Sequence, residues 1–348
     1  MPMIEFSELK PGYDALIVGG GTSGCFTALN LDSYINTLIV DYRKFPRFKA
    51  CSGIIVRQAH DIIKKLNVPE DIYHYPKLID IKYIDYDNNL ESTSKKEFYN
   101  SDRKKLDEFL FKKTEEKGNI SFLESTRLVD FSFVKKNFVT SILSYNNLHE
   151  SVASKYFVGC DGAISTVREK ISNVKINSYL AVQELIKMPN HGFKDAIFFF
   201  DSNITDHYAW IIPKSEFVEV GVALEPHNSR EKYAEFKKIV EKRFGIKGKG
   251  ELSSSMILRP VKINEIVLGH KNVLLAGEAA GLITPTGAEG ISNALVSASN
   301  VANAINSKKD DVLKEYRNIS KPLLERFNRK MHKLRYILDK NKRRKLFE

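Results

Sequence analysis

The stretch that most constrains this chain lies near its start, Tyr13-Asp14-Ala15-Leu16-Ile17-Val18-Gly19-Gly20-Gly21-Thr22-Ser23-Gly24-Cys25, where an apolar run leads into three spaced glycines. Such a run reads as a buried strand, and a strand feeding a Gly-x-Gly-x-x-Gly corner calls for a parallel sheet with a helix crossing back over it. Gly19 permits the tight turn, Gly21 lets the backbone approach a pyrophosphate, and Gly24 lets the helix pack on the strand. The helix start, with Thr22 and Ser23, offers N–H groups to an anion. A second apolar run, Thr37-Leu38-Ile39-Val40, ends in Asp41, where a carboxylate accepts from ribose hydroxyls. A plain glycine turn needs neither the flanking strands nor the acid. Both are present, so a dinucleotide site is expected.

Two further corners of the same kind follow. Tyr156-Phe157-Val158-Gly159-Cys160-Asp161-Gly162-Ala163 is a buried strand ending in Asp-Gly, with a basic helix through Arg168 behind it. Asn272-Val273-Leu274-Leu275-Ala276-Gly277-Glu278-Ala279-Ala280-Gly281 is a third; it crosses Pro285, Gly287 and Gly290 and opens a small-residue helix at Ile291. Its glycines and alanines let backbone amides approach a flat ligand, and Glu278 can accept from sugar-alcohol hydroxyls. Between the corners lie β-rich excursions. Strands are expected at 79–84, at the segment ending Phe98-Tyr99, in a meander over 121–156 turning at Asn146-Asn147, and in five runs between 178 and 258 around a helix from Ser229 to Phe244. A basic loop from Tyr42 and Arg43 to Cys51, Ser52 and Gly53 can neutralise a phosphate, and Arg103 opens a helix capped by Ser101 or Asp102.

The 348 residues carry a net charge of +11, but residues 308–348 hold 15 Lys or Arg against 6 Asp or Glu. The body is therefore nearly neutral, and nucleic acid is not expected as a partner. Leu323, Leu324, Phe327, Met331, Leu334 and Leu338 recur in the tail at helical spacing, which suits a helix docked on its own core or, as the alternative, one lying on an anionic lipid surface. Three cysteines without ligand spacing argue for a reducing compartment and against a bound metal. With no leader and no apolar run of membrane-spanning length, a cytoplasmic protein is expected, with the basic tail as its one candidate for peripheral membrane contact.

Three remote segments that each look like a ligand corner imply one long ligand enclosed by a whole domain. In this the chain resembles the flavoproteins of the p-hydroxybenzoate hydroxylase type and, within them, the geranylgeranyl reductase family. The resemblance implies an α/β fold: a Rossmann-type FAD-binding domain (1–75, 100–175 and 262–308) interleaved with a β-sheet substrate domain (76–99 and 176–261), then C-terminal helices over 309–348. It implies that FAD is held by Gly19, Gly21, Thr22, Ser23, Gly24, Asp41, Tyr42, Arg43, Cys51, Ser52, Gly53, Arg103, Asp161, Gly162, Gly277, Glu278, Pro285, Gly287, Gly290 and Ile291. Tyr208, Trp210, Pro213 and Gly221 match the family's Tyr-x-Trp-x-Phe-Pro pattern with its trailing glycine, Ile212 replacing Phe, and imply an apolar cavity beside the flavin. Cys51 matches a Cys-Gly site facing the flavin ring, interrupted here by Ser52. The implied reaction is hydride transfer from reduced flavin to a carbon-carbon double bond of an isoprenoid-like substrate, with Tyr208, Trp210 and Cys51 at the reacting end. His207 reads as a strand-end polar residue, and the proton donor is open among Tyr208, Cys51 and water. The reductant is NADPH or a ferredoxin-like donor. The competing expectations are an oxygen-dependent hydroxylase, because one fold hosts both reactions, and a non-catalytic FAD-binding protein.

Overall fold

The structure is a computed structural model that describes residues 3–134 and 138–347. The chain begins with β1 (Gly12–Val18), α1 (Thr22–Asn30), β2 (Thr37–Val40), β3 (Ile54–Val56), α2 (Arg57–Lys64), β4 (Tyr73–Asp85) and β5 (Leu90–Ser101). It continues through α3 (Arg103–Glu115), β6 (Ile120–Leu123), β7 (Arg127–Val134), β8 (Phe138–Tyr145), β9 (Leu148–Gly159), α4 (Thr166–Ile171) and β10 (Asn177–Lys187). Next come β11 (Ala196–Phe200), β12 (Ala209–Lys214), β13 (Phe217–Leu224), α5 (Ser229–Phe244), β14 (Glu251–Arg259), β15 (Gly269–His270) and β16 (Val273–Leu275). The helices α6 (Ile291–Asn306), α7 (Val312–Ile319), α8 (Lys321–Leu338) and α9 (Lys340–Arg343) close the chain.

The chain divides into two compact units, each assembled from separate segments. The first comprises Met1–Arg47, Lys104–Ile176 and Pro260–Arg329. Its sheet runs β15-β16-β9-β1-β2-β6, with β7 and β8 attached beside β9. The neighbours β16, β9, β1, β2 and β6 are parallel. Parallel strands are covered on both faces, which explains why Ala15, Leu16, Ile17, Leu38, Ile39, Phe157 and Val158 are fully buried. The meander is present, and Asn146 and Asn147 both take positive φ, 47° and 65°, as a two-residue hairpin turn requires.

The second unit comprises Phe48–Arg103, Asn177–Arg259 and Lys330–Glu348, around a sheet ordered β14-β10-β13-β12-β11-β4-β5-β3. Alternation sorts its residues. Ala209, Ile211, Val218, Val220, Val222 and Val182 join Phe236 and Val240 of α5 in one core. Register places Trp210 opposite Gly221 and Gly221 opposite Gln183, so these, with Glu219, project from the other face.

The units depart from the expected boundaries in two places. Residues 48–75, assigned from sequence to the cofactor domain, group with the second unit because β3 pairs antiparallel with β5, Ile54 opposite Asn100. The tail does not form a segment of its own. Of its apolar stripe, Leu323, Phe327, Met331 and Leu334 are buried, Leu324 is half-buried and Leu338 is exposed. Near the end of the chain, the guanidinium of Arg343 grips the fully buried Asp85 from two nitrogens, at 2.8 and 3.0 Å, and also reaches Asp87. Among the described residues no helix is long and apolar enough to cross a membrane, and no cluster of His, Cys, Asp and Glu could hold a metal ion.

Candidate functional site

Within the first unit, sheet order does what sequence spacing alone could not. Because β16, β9, β1 and β2 are consecutive parallel neighbours, the three glycine corners and Asp41 all leave the sheet at one carboxyl edge, where ligands bind in open α/β sheets. The corners touch. Gly19 has φ +103°, and a Cβ there would lie 2.4 Å from the carbonyl oxygen of Cys160. A Cβ on Gly277 would lie 3.0 Å from Oγ of Ser23 and 3.5 Å from Cβ of Ala294, so α1 and α6 close on that glycine from two sides. Both helices open on a glycine, Gly21 and Gly290, with no side-chain cap on their first-turn amides.

The acid and its neighbours form a charged group at the first corner. Asp41 accepts from the Gly20 N–H through Oδ2 (2.8 Å) and from the Arg43 N–H through Oδ1 (2.9 Å), so it shapes the loop as well as presenting a carboxylate. Arg47, absent from the expected site, crosses this corner. Its Nε is 3.8 Å from Asp41, its Nη1 is 3.6 Å from Asp107, and a Cβ on Gly21 would meet its Nη2 at 2.7 Å. Thr22 Oγ1 donates to Asp107 Oδ1 at 3.0 Å, linking the helix start to the same pair. Tyr42 is exposed, with the guanidinium groups of Arg43 and Arg127 over its ring at 5.2 and 5.3 Å.

The second and third corners are held together by the basic residue of the helix behind Asp161-Gly162, which is not among the expected site residues. Arg168, 6% exposed, donates through Nη2 to the carbonyl of Ala163 (2.7 Å) and through Nη1 to those of Ala279 (2.9 Å) and Glu278 (3.3 Å). Asp161 accepts from Ser165 Oγ (2.6 Å) and the Val167 N–H (3.2 Å), which makes it the anchor of α4, and burial pushes its carboxyl up. Gly162, Gly277, Glu278, Pro285, Gly287, Gly290 and Ile291 lie in this unit with Gly19 to Asp41. Pro285 and Ile291 are buried, and Gly287 is exposed. This donor set fits a pyrophosphate and ribose: two uncapped helix starts, a cation at the cradle, and carboxylates flanking it. Cys25 and Cys160 are buried, and burial pushes the Cys160 thiol up to about 12, which leaves both inert.

Cys51, Ser52, Gly53, Arg103, Tyr208 and Trp210 belong to the second unit. Cys51 is a half-buried free thiol. The adjoining loop is pinned by the buried Lys214, which is not among the expected site residues. Its ammonium donates to the carbonyls of Ser52 (2.6 Å) and Ser101 (3.1 Å) and to Asn100 Oδ1 (2.7 Å), and burial holds it below the ordinary lysine range. Trp210 is 6% exposed; its indole N–H donates to Glu219 Oε1 at 3.0 Å, and Gln183 Nε2 donates to Glu219 Oε2 at 3.2 Å. Glu219 is buried, which pushes its carboxyl up. The glycine eight residues after Pro213 now has a physical reason: a Cβ on Gly221 would lie 2.3 Å from the indole ring. Tyr208 is buried beside it, with ring centroids 6.1 Å apart and tilted edge to face.

The family described as "FAD binding domain" matches residues 12–330. In sequence the chain is similar to the protein CbrA of Escherichia coli O6:H1, 25% identical over 321 residues that cover 89% of this chain and 86% of that protein. In structure it is similar to a geranylgeranyl bacteriochlorophyll reductase-like protein of Thermoplasma acidophilum, with a TM-score of 0.81, 20% identity, and 97% of this chain and 90% of that one covered. It is also similar to the p-nitrophenol 4-monooxygenase PnpA of Pseudomonas putida, with a TM-score of 0.75, 18% identity, and 100% and 93% covered.

Proposed function

The chain belongs to the FAD binding domain family of flavin-dependent oxidoreductases, and from that premise we propose that it reduces carbon-carbon double bonds of an apolar, isoprenoid-like substrate. The first unit would hold FAD, with the amides opening α1 and the cation of Arg47 at the pyrophosphate and Asp41 at the adenosine ribose. The corner at Gly277–Gly281, positioned by Arg168, would face the ribityl chain. When bound, FAD supplies the hydride that this chemistry requires.

The observation that carries the reading is the interlock of Trp210 with Gly221. One face of the second sheet is given to an indole that any side chain at position 221 would expel, and its N–H is tied to a buried acid. Such a rigid aromatic wall binds and orients hydrocarbon while excluding water. The likeness to a geranylgeranyl bacteriochlorophyll reductase-like structure supports the same choice. The proton added at the second carbon comes from Tyr208, Cys51 or water; Tyr208→Phe and Cys51→Ala variants, with reduction run in deuterated solvent, separate the three. Either NADPH or a ferredoxin-like protein serves as reductant.

The deciding experiment reduces the FAD-loaded protein with dithionite under anaerobic conditions and adds polyprenyl alkenes. Reoxidation of the flavin with product heavier by two hydrogens supports the proposal. Reoxidation only on admission of oxygen, with one oxygen atom incorporated, assigns a hydroxylase instead, and neither outcome assigns a binding protein.

A further inference from the structure

Arg259, the last residue of β14, is 4% exposed and its guanidinium lies 4.8 Å over the Tyr179 ring, yet only one end of the group has hydrogen-bond partners. Nη1 donates to Asp206 Oδ2 at 3.1 Å and to the hydroxyl of Tyr179, which itself donates to Asp206 at 2.8 Å. Nε and Nη2 are buried with no protein partner. These two nitrogens form one edge of the planar group, with two parallel N–H bonds spaced to meet the two oxygens of a carboxylate or phosphate. A buried cation with its bidentate edge unpaired is costly, because those N–H groups forgo water and gain nothing in return. His207, 4% exposed, adds a third orphan. Its Nδ1 has no partner, its ring lies edge to face on Tyr179 at 5.3 Å, and burial together with the nearby Arg259 charge keeps it neutral.

The surroundings say which way a ligand would run. Asn177 opposes Arg259 and Ile257 opposes Tyr179, so by alternation Arg259 and Tyr179 share the sheet face of Gln183 and Trp210. A line of rings connects them: Tyr179 to His207 at 5.3 Å, His207 to Tyr208 at 4.3 Å, and Tyr208 to Trp210 at 6.1 Å. We propose that the Nε and Nη2 edge of Arg259 is an oxyanion site that binds the carboxylate or phosphate head of an amphiphilic ligand whose apolar part lies along His207, Tyr208 and Trp210. In this form it deepens the reductase reading and rests on it for the identity of the ligand as substrate; the oxyanion edge itself does not depend on redox chemistry.

The test uses the FAD-loaded full-length protein, freed of unbound FAD, and three probes of equal chain length: octanoate, octyl phosphate and uncharged octanol. Binding is followed by calorimetry and by the Arg259 Nε–H resonance. At least one charged probe is expected to bind roughly tenfold or more tightly than octanol and to shift that resonance, and which one does so separates carboxylate from phosphate. Arg259→Lys, which keeps the charge and loses the two-donor edge, should cost that probe roughly tenfold to a hundredfold in affinity. Asp206→Asn, which leaves the edge intact, should retain binding, so the comparison survives if Arg259→Lys does not fold. Equal binding of octanol and both charged probes, an unmoved Arg259 resonance, or a crystal structure of the octanoate and octyl phosphate complexes with only water at the edge would overturn the proposal. Anaerobic alkene reduction of an uncharged polyprenol is a separate readout, so loss of that activity refutes the reductase and not the oxyanion site.

Discussion

Gly24 and Gly21 sit three residues apart in the same motif, and the structure predicts opposite fates for their alanine variants. At Gly24, in the first turn of α1, helix propensity alone favours alanine by about 1 kcal/mol. The added Cβ, however, would lie 1.8 Å from the carbonyl oxygen of Gly19, where ordinary contact begins at 3.4 Å, and the obstacle is backbone. Relieving the missing 1.6 Å means moving α1 off β1, and overpacking of that kind costs about 1–3 kcal/mol. The clash outweighs propensity, so Gly24→Ala should lower the stability of the apoprotein. At Gly21 the backbone, φ −77° and ψ −168°, is one any residue adopts, and the added Cβ meets only the far end of the Arg47 side chain, at 2.7 Å, rather than backbone. Gly21→Ala should cost the apoprotein no more than about 1 kcal/mol, the scale of replacing a favoured N-cap residue by alanine. It should nonetheless weaken FAD binding by roughly tenfold or more, because a methyl group at the cradle holds the pyrophosphate away from charge-assisted hydrogen bonds. Urea unfolding of both apoproteins and quenching of flavin fluorescence on titration provide the two axes. A Gly24→Ala protein as stable as the parent, or a Gly21→Ala protein that binds FAD normally, refutes the geometry of the corner.

Other perturbations follow from the same structure. Arg343→Met strands the buried carboxylate of Asp85 and should cost about 3–5 kcal/mol, much of it recovered by adding Asp85→Asn; a urea-unfolding cycle in which the two changes are additive would contradict their pairing. Burial holds the His207 imidazole down at about 3 against an ordinary 6.5. The unfolded chain therefore takes up that proton first, and stability present above pH 6.5 is lost as pH falls toward 3, by at most about 1.4 kcal/mol per pH unit. His207→Leu should flatten that decline in acid unfolding curves. For Glu219 the sign reverses: burial raises its carboxyl from 4.5, so its contribution is present below pH 4.5 and is lost as pH rises through the folded-state value, and Glu219→Gln should remove that part of the pH profile. Trp210 is the single tryptophan, and its fluorescence should be blue-shifted and resist iodide quenching until the second unit unfolds; early quenching at low denaturant would place the indole elsewhere.

Much of the frame was readable from the chain because it is written locally. An apolar run into spaced glycines, an acid after the second strand, paired asparagines in a hairpin, and a helix from Ser229 to Phe244 each depend on residues close in sequence, and each is where the pattern puts it. What only tertiary structure decided are partnerships across long separations. The convergence of the three corners needed the strand order β16-β9-β1-β2, and the clamp of Arg168 on Ala279 spans 111 positions. Trp210 finds Glu219 and requires glycine at 221 through the register of β12 and β13, and a slip of one residue would have turned all three to the other face. The same holds for Arg47, which only the folded first corner brings to Gly21, and for β3, which the sequence leaves beside the cofactor loop and strand pairing moves to the second sheet. Local propensity and periodicity act over a few residues, whereas register, burial and charge pairing are settled only when distant segments meet.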